Sequence, residues 1–272
     1  MVVSRSSDTP QKATTFQQAD MNDLKRAKKL LEKPGVSARI LNVLGKSISA
    51  GFRFLPDRWN LNIGKFTQTA LSKTVHAAIY TMKDKPGKEA SNAWHKFAVA
   101  ATGGFCGFFG LPVLFVELPI STTIMLRSIA DVARSEGEFI SSIDTKIAFV
   151  EVFALGGPKK SDDASESGYF AIRAALAQSV SKASQYIAEK GLAKESAPAL
   201  VRFIMQIADR FSIRITTKAA AQAVPTIGAA GGAVINMMFI AHYQNIARGH
   251  FIIRRLERKY GTEAVRTAYK SI

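Results

Sequence analysis

Two uncharged, glycine-studded apolar stretches decide how this chain is read: AVAATGGFCGFFGLPVLFV (Ala98–Val116) and AAAQAVPTIGAAGGAVINMMFIA (Ala219–Ala241). Each approaches the length of an apolar run that crosses a bilayer, about 17–25 residues. Each also carries a proline and clustered glycines, which an ordinary spanning helix does not need. Gly103, Gly104, Gly107 and Gly110 are three or four apart or adjacent, as are Gly228, Gly231 and Gly232. On a helix this spacing makes a smooth groove that lets two backbones approach closely. Pro112, Pro119 and Pro225 are expected to kink or break the helices, leaving backbone groups in need of partners. The pattern predicts two Gly-rich apolar helical hairpins, re-entrant or interfacial, in place of two clean spans. A tightly packed helical core, with the glycines at helix crossings, is the competing account.

Outside these stretches the chain is strongly basic, with 37 Lys and Arg against 21 Asp and Glu and a net charge of +16. Between Asp20 and Lys65 there are ten basic and four acidic residues. From Arg248 onward there are seven basic residues against Glu257 and Glu263. The excess therefore lies near both ends, beside apolar sequence, and predicts attraction to polyanions such as nucleic acid or an anionic membrane leaflet. A single cysteine, Cys106, excludes an internal disulfide. Residues 1–20 lack the apolar core of a signal peptide and read as a mobile tail ahead of one helical domain over 21–272. The expected location is the cytoplasmic face of a membrane.

Helical periodicity dominates the remainder. Leu24, Ala27, Leu30 and Leu31 share a helix face that ends at Pro34-Gly35. Val36, Ile40, Leu44, Ile48 and Phe52 recur every fourth residue, with Arg39, Lys46 and Arg53 in a separate basic stripe. This amphipathic basic helix suits a membrane surface, or equally the outside of a soluble core. Further helices are expected over 61–82, 120–138, 144–155, 169–190, 197–210 and 243–260, with a short one at the end. Arg127, Asp131, Arg134 and Glu138 form a ladder of alternating charge, expected to be a solvated face. Phe211–Thr217 alternates and is β-branched, but a lone strand has no partner here, so it is assigned to helix. The result is an all-α multi-helix bundle of about eight to ten helices.

Several chemistries are poorly supported. Gly45-Lys46-Ser47 lacks the earlier glycine and the strand of a phosphate loop. Ser179-Val180-Ser181-Lys182 fits S-x-x-K, but on a polar, Ala-rich helix chance explains it. The C-terminal basic run carries aromatics, yet no recognised nucleic-acid motif, so nucleic acid is not the expected partner. One polar set is retained: Glu117, Arg127, Glu151, His242, Arg248 and His250. If its acids and imidazoles converge, they would hold a metal or a proton, and a hydrolase, peptidase or metal-dependent enzyme becomes the third reading. Structural polar contacts are the alternative. No catalytic residue, metal or cofactor is assigned.

The run GLPVLFVELPISTTIMLRSIADVARSEGE (110–138) resembles the signature of the EcsC family. So do EVFALGG (151–157), ESGYFAIRAALA (166–177), AAQAVPTIGAAGGAVIN (220–236) and HYQNIARGHFIIRRLERKYG (242–261), in collinear order. The family is named for a protein encoded beside an ABC transporter. The resemblance implies an accessory of ABC-type transport or secretion and brings no catalytic residues. Together with the composition it predicts a membrane-associated protein that binds anionic lipid. Phe105, Phe108, Phe109, Phe115, Met237, Met238 and Phe239 are the expected lipid-facing residues. Arg39, Lys46, Arg53, Arg254, Arg255 and Arg258 are the expected headgroup contacts. A soluble bundle carrying a lipid in an apolar groove is the second reading.

Overall fold

A computed structural model describes residues 16–32, 53, 55, 59–81, 111–157, 168–190, 198–222 and 228–272. These residues form eight helices and no strand: α1 (Gln18–Glu32), α2 (Trp59–Thr81), α3 (Leu111–Ser135), α4 (Ile143–Leu155), α5 (Gly168–Lys190), α6 (Pro198–Gln222), α7 (Gly228–Tyr260) and α8 (Thr262–Ser271). The all-α expectation holds among them. The amphipathic segment around Val36–Phe52, and the first apolar stretch up to Gly110, lie outside the described residues.

The core forms because apolar residues recur at helical spacing on facing surfaces. In α1, Leu24, Ala27 and Leu31 are buried and pack on the long helix α7. Their approach is close because α7 carries Gly249 there. A Cβ at that position would stand 2.7 Å from Leu31 Cγ and 3.1 Å from the Ala27 carbonyl. Helix α4 is apolar all round, and ten of its thirteen residues are buried. It is the central rod, touching α3, α5, α6 and α7. Ser142 caps its start, accepting from the Thr145 amide, which satisfies one of the orphan N–H groups of the first turn. Phe153 sits among Phe211 and Tyr243, with ring centroids 4.8 and 5.3 Å away.

The sequence reading needs three adjustments. Helix α3 starts at Leu111 and continues through Pro119, where an interruption was expected. Pro112 stands in its first turn, where a missing N–H costs nothing. Around Pro119, the Ser121 and Thr123 hydroxyls bond back to the carbonyls of Leu118 and Pro119 at 3.2 and 2.8 Å. Segment 211–217 is helical as assigned and lies in the middle of α6, with Phe211 and Ile215 fully buried. Residues 16–20, expected in a mobile tail, are docked. Phe16 stacks on Tyr260 at 4.3 Å, and Asp20 is buried. The charge ladder on α3 is only partly a ladder. Asp131 and Arg134 pair at 2.5 Å, while Glu138 has left the helix. Gly137 adopts φ 81°, its N–H bonds to Arg134 O, and the Glu138 N–H bonds to Ala133 O. This glycine-closed Schellman end turns Glu138 toward α7.

The second apolar stretch is divided between two neighbouring helices. It covers the end of α6, residues 223–227, and the first fourteen residues of α7. The two helices run antiparallel. Arg214 and His242 both reach the carbonyl of Gly156, while one turn on, Lys218 and Asn236 both reach Glu117.

Candidate functional site

Three helices place one polar side chain each at a single buried point. Glu117 comes from α3, Lys218 from α6 and Asn236 from α7, and they are 2%, 1% and 0% exposed. Lys218 Nζ donates to both Glu117 oxygens, at 2.7 and 2.8 Å. Asn236 Nδ2 donates to Oε1 at 2.9 Å. Lys218 Nζ also lies 5.8 Å from the centroid of the Phe239 ring, within range of a cation–π attraction. Two buried ions cost several kcal/mol each to remove from water, and only close, saturated geometry repays that. Here the carboxylate takes three donors from two helices, so it fixes the register of α3, α6 and α7 together.

The position of this cluster matters. Glu117 directly follows the first apolar stretch, Lys218 directly precedes the second, and Asn236 lies inside the second. The cluster thus ties α3 just past Val116 to both sides of the second stretch. At the same level each helix leaves an apolar side chain in solvent: Ile120 on α3, Ile213 on α6, Val234 and Met237 on α7. None is more than five residues from its helix's member of the cluster, about 8 Å along the axis.

The opposite end is ion-paired, and it too leaves one large apolar side chain in solvent, Phe139 at 66% exposure. Arg254 Nε lies 3.0 Å from Glu138, and Arg258 joins the same carboxylate. Arg255 contacts Asp23 at 2.6 Å, Glu136 at 3.3 Å and Asp20 at 3.7 Å. Lys259 pairs with Asp20 at 2.6 Å. The hydrogen bonds from Lys259 and Tyr260 hold the Asp20 carboxyl below its usual range. For Glu138 burial acts upward, but the Arg254 and Arg258 contacts outweigh it and the carboxyl titrates below its ordinary value. Three arginines expected to face lipid headgroups therefore tie α7 to α1 and to the turn after α3. Arg53 is exposed, and Arg39 and Lys46 lie outside the described residues.

The polar set read from sequence does not converge as a whole, although Glu151 and His250 are both buried within reach of Arg173 and Arg254. Glu117 belongs to the cluster above. His242 Nε2 is 2.9 Å from Gly156 O, beside Arg214, which donates to Gly156 O and Gly157 O at 3.1 and 2.8 Å. Arg210 adds a bond to Ala154 O at 3.2 Å. Together they satisfy the carbonyls at the end of α4. His250 Nδ1 is 2.9 Å from the Tyr169 hydroxyl. Arg173 donates to Glu257 at 2.7 and 3.1 Å. Arg248 lies 3.9 Å from Glu136, and Arg127 is on the surface. Among the described residues no three His, Cys, Asp or Glu side chains gather as metal ligands. The separation is geometric: helical spacing aligns residues on one helix, but it does not say which neighbour each face meets.

The expected lipid-facing set is also redistributed. Met237 is exposed and Met238 half-buried, but Phe239 is buried against the core at 1% exposure. Phe115 lies in α3. Phe105, Phe108 and Phe109, and glycines 103, 104, 107 and 110, lie outside the described residues. Gly228 and Gly231 stand in the first turn of α7, and Gly232 is buried there. No described helix is long and apolar enough to cross a membrane.

His250 and Glu151 give the molecule an acid response of mixed sign. Burial, reinforced by Arg173 and Arg254, pushes the His250 imidazole well below its ordinary 6.5. The unfolded chain then takes up the proton first, so stability falls as pH drops below about 6.5, by at most about 1.4 kcal/mol per pH unit. Burial raises the Glu151 carboxyl above its ordinary 4.5, against the pull of Arg173 and Arg254. Its folded form holds the proton longer, so its contribution falls as pH rises above about 4.5 toward the folded value. Urea midpoints between pH 7 and 5 check both signs. His250→Gln should flatten the loss on acidification, and Glu151→Gln should steepen it.

These observations define a helical bundle that is ion-paired at one end and pinned near the other by a buried Glu–Lys–Asn cluster, with Ile120, Ile213, Val234 and Met237 exposed at that level. The model of the EcsC protein family matches residues 13–256, from before α1 to the last turns of α7, and the chain belongs to that family. No curated protein and no solved structure matches it.

Proposed function

We propose that this protein is a membrane-associated accessory that docks on the inner face of a bilayer through the apolar end of the bundle. One observation carries the reading: the Glu117–Lys218–Asn236 cluster pins α3, α6 and α7 together at one level, where Ile120, Ile213, Val234 and Met237 face solvent. An apolar end on a protein of net charge +16 suits an anionic leaflet, where apolar burial and charge attraction act together. The ion-paired end would then face away from the lipid, leaving it for a protein partner. Family membership favours an ABC-type transporter as that partner. The protein is read as lying on the membrane, not spanning it.

Fractionation of cells tests the placement. Untagged protein should stay with membranes through a high-salt wash, because the contact is apolar. Release by salt would leave only a charged surface contact, and recovery in the soluble fraction would favour a bundle that carries lipid in a groove. The residues are tested by cosedimentation with anionic vesicles. Each exposed side chain has about 1 kcal/mol to gain on entering lipid. Ile213→Asp with Met237→Asp should therefore weaken vesicle partition about tenfold or more with helix content unchanged. Unaltered partition would mean that these side chains do not meet the bilayer.

A further inference from the structure

Away from the apolar end, α5 and α6 enclose a cleft of about 260 Å³. Its walls carry Gln178, Ser179 and Lys182 from α5, and Arg202 and Gln206 from α6. Arg202 is sixteen residues before Lys218 on α6, about 24 Å along the axis, so the cleft is separate from the cluster and from the docking end. The two elements of the S-x-x-K motif, Ser179 and Lys182, both line it.

The polar groups in this cleft share one character. The Ser179 hydroxyl donates to Gln206 Oε1 at 2.5 Å, so the Gln206 carbonyl is occupied while its amide N–H₂ remains available. Lys182 and Arg202 form no ion pair with a described carboxylate, and among the described residues no Asp or Glu lines the walls. Two cations on facing helices repel each other, and an anion between them relieves that repulsion. Pro198 and Ala199 close the cleft at the start of α6, whose first turn carries no acidic residue. The lining offers an ammonium, a guanidinium and amide N–H donors. That set suits the several acceptor oxygens of a tetrahedral oxyanion. The volume lies just below the usual range for small-molecule sites, about 300–1,000 Å³, which suits a compact ligand.

We propose that the α5–α6 cleft is a binding site for a phosphate monoester, held by Lys182 and Arg202 with Gln178 and Gln206 as further donors. The phosphate could come from a free small molecule or from a phosphomonoester lipid headgroup, and the chemistry of recognition is the same.

Calorimetric titration of the full chain with inorganic phosphate and with glycerol 3-phosphate, at fixed ionic strength, tests this. Vesicles of phosphatidylcholine with and without phosphatidic acid form a second arm. Saturable binding is expected, at least tenfold weaker in Lys182→Gln/Arg202→Gln. A Lys25→Gln/Lys29→Gln control removes the same charge from exposed positions on α1 and should bind as the unaltered protein does. Binding of the free monoester assigns a soluble ligand. Binding confined to phosphatidic acid vesicles and lost in the cleft variant assigns the headgroup. The proposal is overturned if neither arm shows saturable binding, or if cleft and control variants lose it equally. All four positions are exposed on helix surfaces, and unchanged helix content by circular dichroism separates lost binding from lost fold. The apolar docking end is tested on other residues, so either result stands without the other.

Discussion

Lys218→Met should destabilise the protein by about 3–5 kcal/mol, the largest loss expected from any single polar substitution in the described structure. The methionine fills the space of the aliphatic stem, so packing changes little. What changes is Glu117, which is 2% exposed and would keep only the Asn236 donor. Breaking a buried pair by removing one partner leaves an uncompensated charge, and that penalty sets the magnitude. The companion variants make the argument specific. Glu117→Leu strands Lys218 and should cost about as much. Glu117→Leu with Lys218→Met removes both charges and should recover much of the loss, as buried pairs replaced by apolar residues often do. Adding Asn236→Leu removes the amide that has lost its acceptor. Urea midpoints for the four proteins form the cycle. If the double variant is as unstable as the sum of the singles, the residues act independently and the cluster does not bind the three helices together.

Of the three cluster residues, the sequence reading singled out Glu117 alone. Glu117 stands out as an acid in an otherwise apolar run, VELP. Lys218 is as anomalous, a lone charge at the mouth of the second stretch, and Asn236 is the one amide between Ile235 and Met237. The signal was two opposite charges at the edges of two apolar stretches. Nothing in either stretch says that they meet, because pairing between elements a hundred residues apart is a tertiary fact. The same limit explains why Glu117, His242 and His250 were grouped although they serve three separate contacts. Local rules performed well where the cause is local. The 3.6-residue spacing located α1, α2, α4 and α5 within a few residues, whereas the helix expected over 120–138 ran past Gly137, whose positive φ closes α3. Proline was over-read: α3 runs from Leu111 to Ser135 straight through Pro119. Phe239 was over-read too, since a long apolar run does not say which side of its helix faces the core.

The Gly156-Gly157 pair at the end of α4 shows a sequence feature whose reason is entirely steric, and Gly156→Ala should cost about 2–3 kcal/mol. Gly156 has φ −75° and ψ −3°, which alanine adopts without strain, so backbone freedom is not the reason for glycine. Space is. A Cβ there would stand 2.4 Å from Tyr243 Cε1 and 3.0 Å from Cδ1. Neither side can give way cheaply. The Tyr243 ring is fully buried between Phe153 and Phe211, with centroids at 5.3 and 5.6 Å. The Gly156 carbonyl is fixed by Arg214 and His242, so the backbone cannot retreat without breaking hydrogen bonds to a buried guanidinium. Overpacking of this kind costs about 1–3 kcal/mol, and the doubly held site belongs at the upper end. Tyr243→Leu alone should also destabilise, by removing ring contacts. In the Gly156→Ala background it should cost less than it does alone, because the shortened side chain makes room for the methyl group. Thermal or urea unfolding of the single and double variants measures that coupling. Additive losses would place the cause in the backbone at the end of α4, not in the contact between glycine and ring.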